Sequence, residues 1–242
     1  MRIFADYHTH TTYSDGKGSI EDNVKAAIDA GLNEIGISDH GFSHMFYGIK
    51  RSDRNEIKSE IKRLRNKYPN ITIYDSIEAN ILGPSGKIDL KESEISDFDK
   101  VLCGYHFGSA PKSLSDVYMH LVNNIYRLTG LLKKTAVKLN TKALVNAVRK
   151  NNIDILVHPG DKGPVNIVPI AKECEKKKVI MEINERHTYL TEEQLIEIKD
   201  MNLNFVISSD AHIPSRVGKV PSCMYRVEKS GLNKNKIINL RR

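Results

Sequence analysis

Short apolar runs alternate with longer amphipathic segments along this chain. The runs at residues 3–7, 34–38, 71–77, 100–104, 153–157, 179–183 and 204–208 have the length and branched-aliphatic content of strands. Between them, residues 19–30, 54–67, 117–138, 141–150, 166–177 and 191–201 read as helices, with apolar residues at helical spacing such as Ile57, Ile61 and Leu64. Ser19 with Asp22 and Thr191 with Gln194 are capping pairs, and Gly31 and Pro69 are stops. Asn140 or Thr141 is the expected N-cap of the helix at 141–150. The Pro-Ser-Gly within residues 81–90 predicts a hairpin after the third strand. Seven strands separated by helices predict a parallel sheet, because a parallel crossover needs a helix. At 242 residues a closed α/β barrel fits better than an open doubly wound sheet, and no GxGxxG follows the first strand.

Composition narrows the class. Forty per cent hydrophobic and 28% charged residues are the mix of a soluble globular protein. No apolar run approaches the roughly 18–20 residues of a membrane span, and the N-terminus lacks the pattern of a signal peptide, so a cytoplasmic location and no membrane partner are expected. Cys103, Cys174 and Cys223 are too few and too scattered for a disulfide framework or a CxxC zinc site. The net charge of +7 would suit an anionic substrate or a nucleic acid. Much of it lies on helix faces and at the chain end, as in Lys133, Lys134, Lys138 and Lys142, so it supports nucleic acid only weakly.

The strand exits carry the chemistry. His8 and His10 leave the first strand one residue apart, a spacing that puts both imidazoles on one face. His40 follows the second strand, Glu78 lies at the end of the third, and His106 and His158 follow the fourth and fifth. Asp210 and His212 follow the seventh, and Asp15 lies in the first loop. Six of the nine histidines therefore fall where functional loops gather in a parallel barrel. Nine imidazole and carboxylate donors with no thiolate predict two to three divalent ions of Zn, Mn or Fe. His44 and His120 lie away from strand ends and are assigned no role.

These segments resemble the PHP (polymerase and histidinol phosphatase) domain family, in the pattern of its compact stand-alone bacterial phosphatases. The matching pieces are HTHTTYSDG at 8–16, SDHG at 38–41, EAN at 78–80, GYH at 104–106, HPG at 158–160, EIN at 182–184 and SDAH at 209–212, in family order. The resemblance implies a distorted seven-stranded (β/α)7 TIM-like barrel over 1–242, with a trinuclear centre in the C-terminal cleft and a helical insertion around 113–140. It implies that His8, His10, Glu78 and Asp210 hold one ion, that Glu78 bridges to a second held by His106 and His158, and that Asp15, His40 and His212 hold the third. Some relatives have histidine where Asp15 stands, and a carboxylate there would either shift the preference toward Mn or Fe or leave the third site weaker.

Metal ions acidify water and neutralise phosphoryl charge, so no Ser or Cys nucleophile is required, and none stands in a GxSxG context. The expected activity is hydrolysis of a small organic phosphate, with Asp210 and His212 as catalytic residues. Arg186, Arg216, Lys162 and His187 are candidate substrate donors, and Asp39 and Asp6 are candidates to orient the imidazoles. A nuclease or nucleotide phosphodiesterase on the same centre is the alternative, weakened by 7% aromatics and the lack of Trp. From a different class, a metal-binding regulatory module without turnover would have no need of the full donor set. An amidohydrolase-type barrel is disfavoured because Glu78 and His106 stand where a carboxylated lysine would be expected.

Overall fold

The computed structural model describes residues 2–241. Its seven strands are β1 Ala5–Thr9, β2 Glu34–Ile37, β3 Thr72–Asn80, β4 Lys100–Gly104, β5 Ile155–Leu156, β6 Ile180–Asn184 and β7 Phe205–Ser208. All pair in parallel with their sequence neighbours. A bridge from Thr9 to Ala211, with His10 N–H donating to Ala211 O at 2.9 Å, brings β1 against the exit of β7 and nearly closes the barrel. At the other end of that seam the chain terminus fills the gap. The buried Asn239 side chain donates to Ala5 O and Ile207 O, both at 2.7 Å, and accepts from Ile207 N–H at 3.0 Å.

The helices are α1 Ile20–Asp29, α2 Arg54–Lys67, α3 Glu92–Ile95, α4 Leu114–Thr129, α5 Lys133–Lys150, α6 Ile167–Lys177, α7 Glu192–Ile198 and α8 Pro221–Ser230. Capping boxes at Ser19–Asp22 and Thr191–Gln194 start α1 and α7. Residues 81–90 close as a narrow turn, with an antiparallel bridge between Ile81 and Ile88. The short α3 and α8 were not expected. Pro221 in the first turn and Gly231 at φ 67° are the ordinary start and stop signals that mark α8.

The break between α4 and α5 differs from the expected 138–141. Gly130 takes the left-handed conformation at φ 74° and ends α4 there. Asn140 is therefore no cap. It lies buried inside α5, and its amide exchanges hydrogen bonds of 2.7 and 2.8 Å with Asn123 of α4. Thr141 Oγ1 instead accepts from Asn166 N–H.

Successive strand residues alternate between two apolar clusters. Leu156, Met181 and Ile207 pack outward into the large cluster shared with the helices. Ile155, Ile180 and Val206 join Tyr7 and Leu102 in a smaller cluster within the barrel. The face of β6 that begins with Ile180 continues through Glu182 and Asn184, so the apolar plug gives way to a polar layer toward the C-terminal end. All three cysteines are buried and unpaired. Among the described residues no helix is long and apolar enough to cross a membrane.

Candidate metal centre

The structure brings all nine predicted donors together at the C-terminal end of the barrel. Glu78, fully buried at the end of β3, is their hub. Its Oε1 lies 2.7 Å from His158 Nε2 and 2.9 Å from His106 Nε2. Its Oε2 lies 2.8 Å from His40 Nδ1, 3.5 Å from His8 Nε2 and 3.7 Å from His10 Nε2. Asp210 Oδ1 stands 3.3 Å from His10 Nε2 and 3.8 Å from His8 Nε2. Asp15 Oδ1 stands 3.1 Å from His212 Nε2 and 3.6 Å from His40 Nε2.

Four sets of donor atoms lie mutually within 4.8 Å: His10, Asp15, His40 and His212; His8, His10 and Asp210; His8, Glu78 and His158; and His40, Glu78 and His106. His8, His10 and His40 thus straddle two groups each, whereas the resemblance assigns each of them to one ion. The His10 and His40 rings sit between carboxylates, Asp15 on one side and Glu78 on the other.

The donor atoms fit divalent ions by their lack of other partners. His8 Nε2, both nitrogens of His10, Asp15 Oδ1, His40 Nδ1, Glu78 Oε2 and Asp210 Oδ1 are buried without a hydrogen bond. Even His40 Nδ1 and Glu78 Oε2, 2.8 Å apart, lack hydrogen-bond geometry. A buried polar atom left unpaired costs about 1–3 kcal/mol, so a cluster of them needs a physical reason. Coordination by Zn, Mn or Fe supplies one.

The opposite ring edges are held by the protein. His8 Nδ1 lies 2.7 Å from Glu182 Oε1, His106 Nδ1 lies 2.8 Å from Asn80 Oδ1, and His212 Nδ1 lies 2.9 Å from Asp210 O. Each Nδ1 then carries the proton, which leaves Nε2 of His8 and His106 facing Glu78, while His212 Nε2 accepts from Arg186 Nη1 at 2.8 Å. Glu182 Oε2 also accepts His158 N–H at 2.9 Å, and Asn184 Nδ2 donates to both Glu182 and Asp210. Two donor residues sit in the left-handed region, His158 at φ 30° and Asp210 at φ 51°. After Val157, strict alternation would turn His158 outward; the positive φ brings its ring inside. Such backbone strain costs about 1–3 kcal/mol and concentrates at functional sites.

Electrostatics follow the crowding. Burial pushes the His10 and His106 imidazoles down to about 3, with the charge of His40 adding to the effect on both. Burial works against protonation of His40 too, but Glu78 and Asp15 outweigh it and raise His40 to about 10. His8 and His158 are likewise raised against burial, by Asp210 and Glu182 around His8 and by Glu78 beside His158. Burial opposes ionisation of Glu78 and Asp210, yet the surrounding imidazoles hold both well below the usual carboxylate range.

The cluster forms the floor of a cavity of about 320 Å3. Lys162, Arg186 and His187 line it, whereas Arg216 lines a second cavity behind His212 and Asp210. Lys162 pairs with Asp161 at 2.5 Å, and His187 lies between Asp161 (3.0 Å) and Asp210 (3.4 Å). His44, given no role from the sequence, lines the cavity and stacks on His40 at 5.0 Å. Burial and the His40 charge lower it to about 4. His120 is half-buried against Tyr105 OH at 3.1 Å, away from the centre.

Asp39 and Asp6 do not orient imidazoles. Asp39 accepts Thr11 N–H, Thr11 Oγ1–H and Ser14 Oγ–H, which shapes the loop after β1. Asp6 accepts the backbone N–H groups of His8, Ser209 and Gly218. Glu182 and Asn80 do the orienting instead. The signal was a carboxylate inside the apolar run of β6, within the EIN segment that had no role assigned.

The PHP domain family model matches residues 6–186. This chain belongs to the PHP family. A relative from Thermoanaerobacter sp. (strain X514), named a probable phosphatase, is 25% identical over 257 residues, covering 99% of this chain and 91% of its own. A probable phosphatase of Caldanaerobacter subterraneus subsp. tengcongensis is 27% identical over 255 residues, covering 99% and 88%. Among solved structures, histidinol phosphate phosphatase from Lactococcus lactis, in complex with zinc, L-histidinol and phosphate, has a TM-score of 0.67 at 20% identity, covering 95% of this chain and 94% of that one. A structure from work on metal-dependent tyrosine phosphatases of Bacillus subtilis and Streptococcus pneumoniae has a TM-score of 0.51 at 16% identity, covering 98% and 97%. These structural likenesses establish the shared barrel.

Proposed function

We propose that this PHP protein is a metal-dependent phosphomonoesterase acting on a small organic phosphate. The observation that carries the proposal is the set of unpartnered, buried donor atoms on the floor of a cavity whose wall carries Lys162 and Arg186. The probable-phosphatase relatives match over nearly the whole chain and point the same way.

Two to three divalent ions held by the nine donors would acidify water and offset phosphoryl charge. Arg186, whose Nη1 lies 2.8 Å from His212 Nε2, and Lys162 line the cavity and would donate to the phosphoryl oxygens. Asp210 is ionised at neutral pH and is the assigned base, with His187 3.4 Å from its Oδ2 to receive or return a proton. His212, held through Nδ1 by Asp210 O, keeps its Nε2 toward Asp15 and the cavity. Asp161 pins His187 from its other side.

A diesterase on the same centre has one observation in its favour. Phe46, 73% exposed, and Tyr47 border the cavity and offer faces on which bases stack. Parallel assays with p-nitrophenyl phosphate, its bis-ester and a labelled oligonucleotide separate the readings. Hydrolysis of the monoester supports the proposal, and turnover confined to the diester or oligonucleotide replaces it. Histidinol phosphate, named with the Lactococcus lactis structure, belongs in the substrate screen that follows.

A further inference from the structure

We infer that the second cavity, behind His212, receives a second anionic group of the substrate, so that the preferred substrates carry a phosphate or carboxylate besides the scissile phosphate. The inference rests on the phosphomonoesterase reading. The cavity is about 440 Å3 and shares Arg186 and Asp210 with the first one, so a single small molecule can occupy both. Four cations line it: Lys17, Arg186, Arg216 and Lys219. Among the described residues none of the four forms an ion pair with a carboxylate, while other cations such as Arg54, Arg63 and Arg149 do.

The two carboxylates in the wall, Glu185 and Asp210, offset only part of that charge, and both are engaged elsewhere. Glu185 spends its carboxylate on the backbone N–H groups of Ser222 and Cys223, at 3.2 and 2.9 Å. Asp210 directs Oδ1 toward His8 and His10, and its Oδ2 accepts from Asn184. The cavity therefore presents an excess of positive charge, beginning where the metal cluster ends. The four cations reach it from different places in the chain: Lys17 from the loop after β1, Arg186 from the exit of β6, and Arg216 and Lys219 from the loop after β7. Convergence of that kind suits a compact polyoxygen anion. One of the four cations lines both cavities, Arg186, which touches His212 on the cluster side.

A group bound here makes the same contacts before and during the reaction, so its removal raises KM and spares kcat. The test uses alkanediol bisphosphates of three to six carbons, the matching ω-phosphoalkanoates and the matching monophosphates, on metal-loaded protein. A wild-type kcat/KM at least tenfold higher for one chain length of bis-anion over its monophosphate is expected, carried by KM. The double variant Lys17→Ala/Lys219→Ala should lose that preference and keep its rate on p-nitrophenyl phosphate. Calorimetric binding of the corresponding bisphosphonates and monophosphonates should show the same preference and the same loss, independently of turnover. A phosphate-only gain identifies the second group as phosphate, and an equal gain with phosphoalkanoates as any small anion. Equal affinity for bis- and mono-anions, or a preference that survives in the double variant, overturns the inference. Variant-sensitive binding without hydrolysis of any monoester would uphold the cavity's role and defeat the phosphomonoesterase reading instead.

Discussion

His8 Nδ1 and Glu182 Oε1 meet at 2.7 Å, both side chains fully buried and 174 residues apart in the chain. The contact fixes the imidazole tautomer, and the other Glu182 oxygen fixes the backbone of His158. One carboxylate therefore sets two donors that flank Glu78. Glu182→Gln keeps the shape and removes the charge, and it should weaken metal affinity by about 10- to 100-fold. Competition with a chromophoric chelator measures this. Unchanged affinity in a folded variant would mean that the pair only packs.

Metal uptake should release protons at neutral pH. Burial disfavours the charged forms of His8, His40 and His158, but neighbouring carboxylates raise all three, His40 to about 10. Ions bind only the neutral rings, so protons must leave as they enter, and affinity must fall as pH drops from 8 to 6. Titration of Zn into chelator-treated protein at pH 7, in two buffers of different ionisation enthalpy, counts the protons. Release of at least one proton is expected; net uptake would contradict the charge pattern.

Gly104 lies where β4 passes under the centre. A Cβ added there would stand 2.7 Å from His158 Cε1 and 3.3 Å from Glu78 Oε1. Gly104→Ala should displace the His158 ring, cost about 1–3 kcal/mol of stability and lower the metal content per chain. Full metal content in that variant would show that the ring has room to yield.

Asn239 tests the closure of the barrel. Asn239→Ala removes three hydrogen bonds between the terminus, β1 and β7, and leaves their backbone partners buried. A loss of roughly 2–4 kcal/mol is expected in urea unfolding. A change below about 0.5 kcal/mol, as for an ordinary surface substitution, would mean that the seam closes without it.

The barrel and its donors were legible because each strand is built on a short, largely apolar run and every donor but Asp15 lies at or within a few residues of a strand end. Lys100–Gly104 and Arg54–Lys67 match their expected bounds for that reason. Features that depend on distant contacts were not legible. Glu182 looks like a misplaced charge until His8 is seen opposite it. His44 reaches the cavity through a loop that turns back on itself, with Gly48 N–H donating to His44 O. Asn140 has the composition of a cap, and only its pairing with Asn123 places it inside a helix. The expected break after residue 138 went with a cap at Asn140 or Thr141, while the backbone followed Gly130.

Metals held by His8, His10 and the other seven donors should drive monoester hydrolysis. Chelator-treated protein is titrated with Zn, Mn or Fe while initial rates on p-nitrophenyl phosphate are recorded, for wild type and for His8→Ala/His10→Ala. The account predicts activity that rises from zero and saturates at two to three equivalents per chain in the wild type, with neither bound metal nor turnover in the variant. Wild-type turnover by the variant, or activity indifferent to added metal, would contradict it.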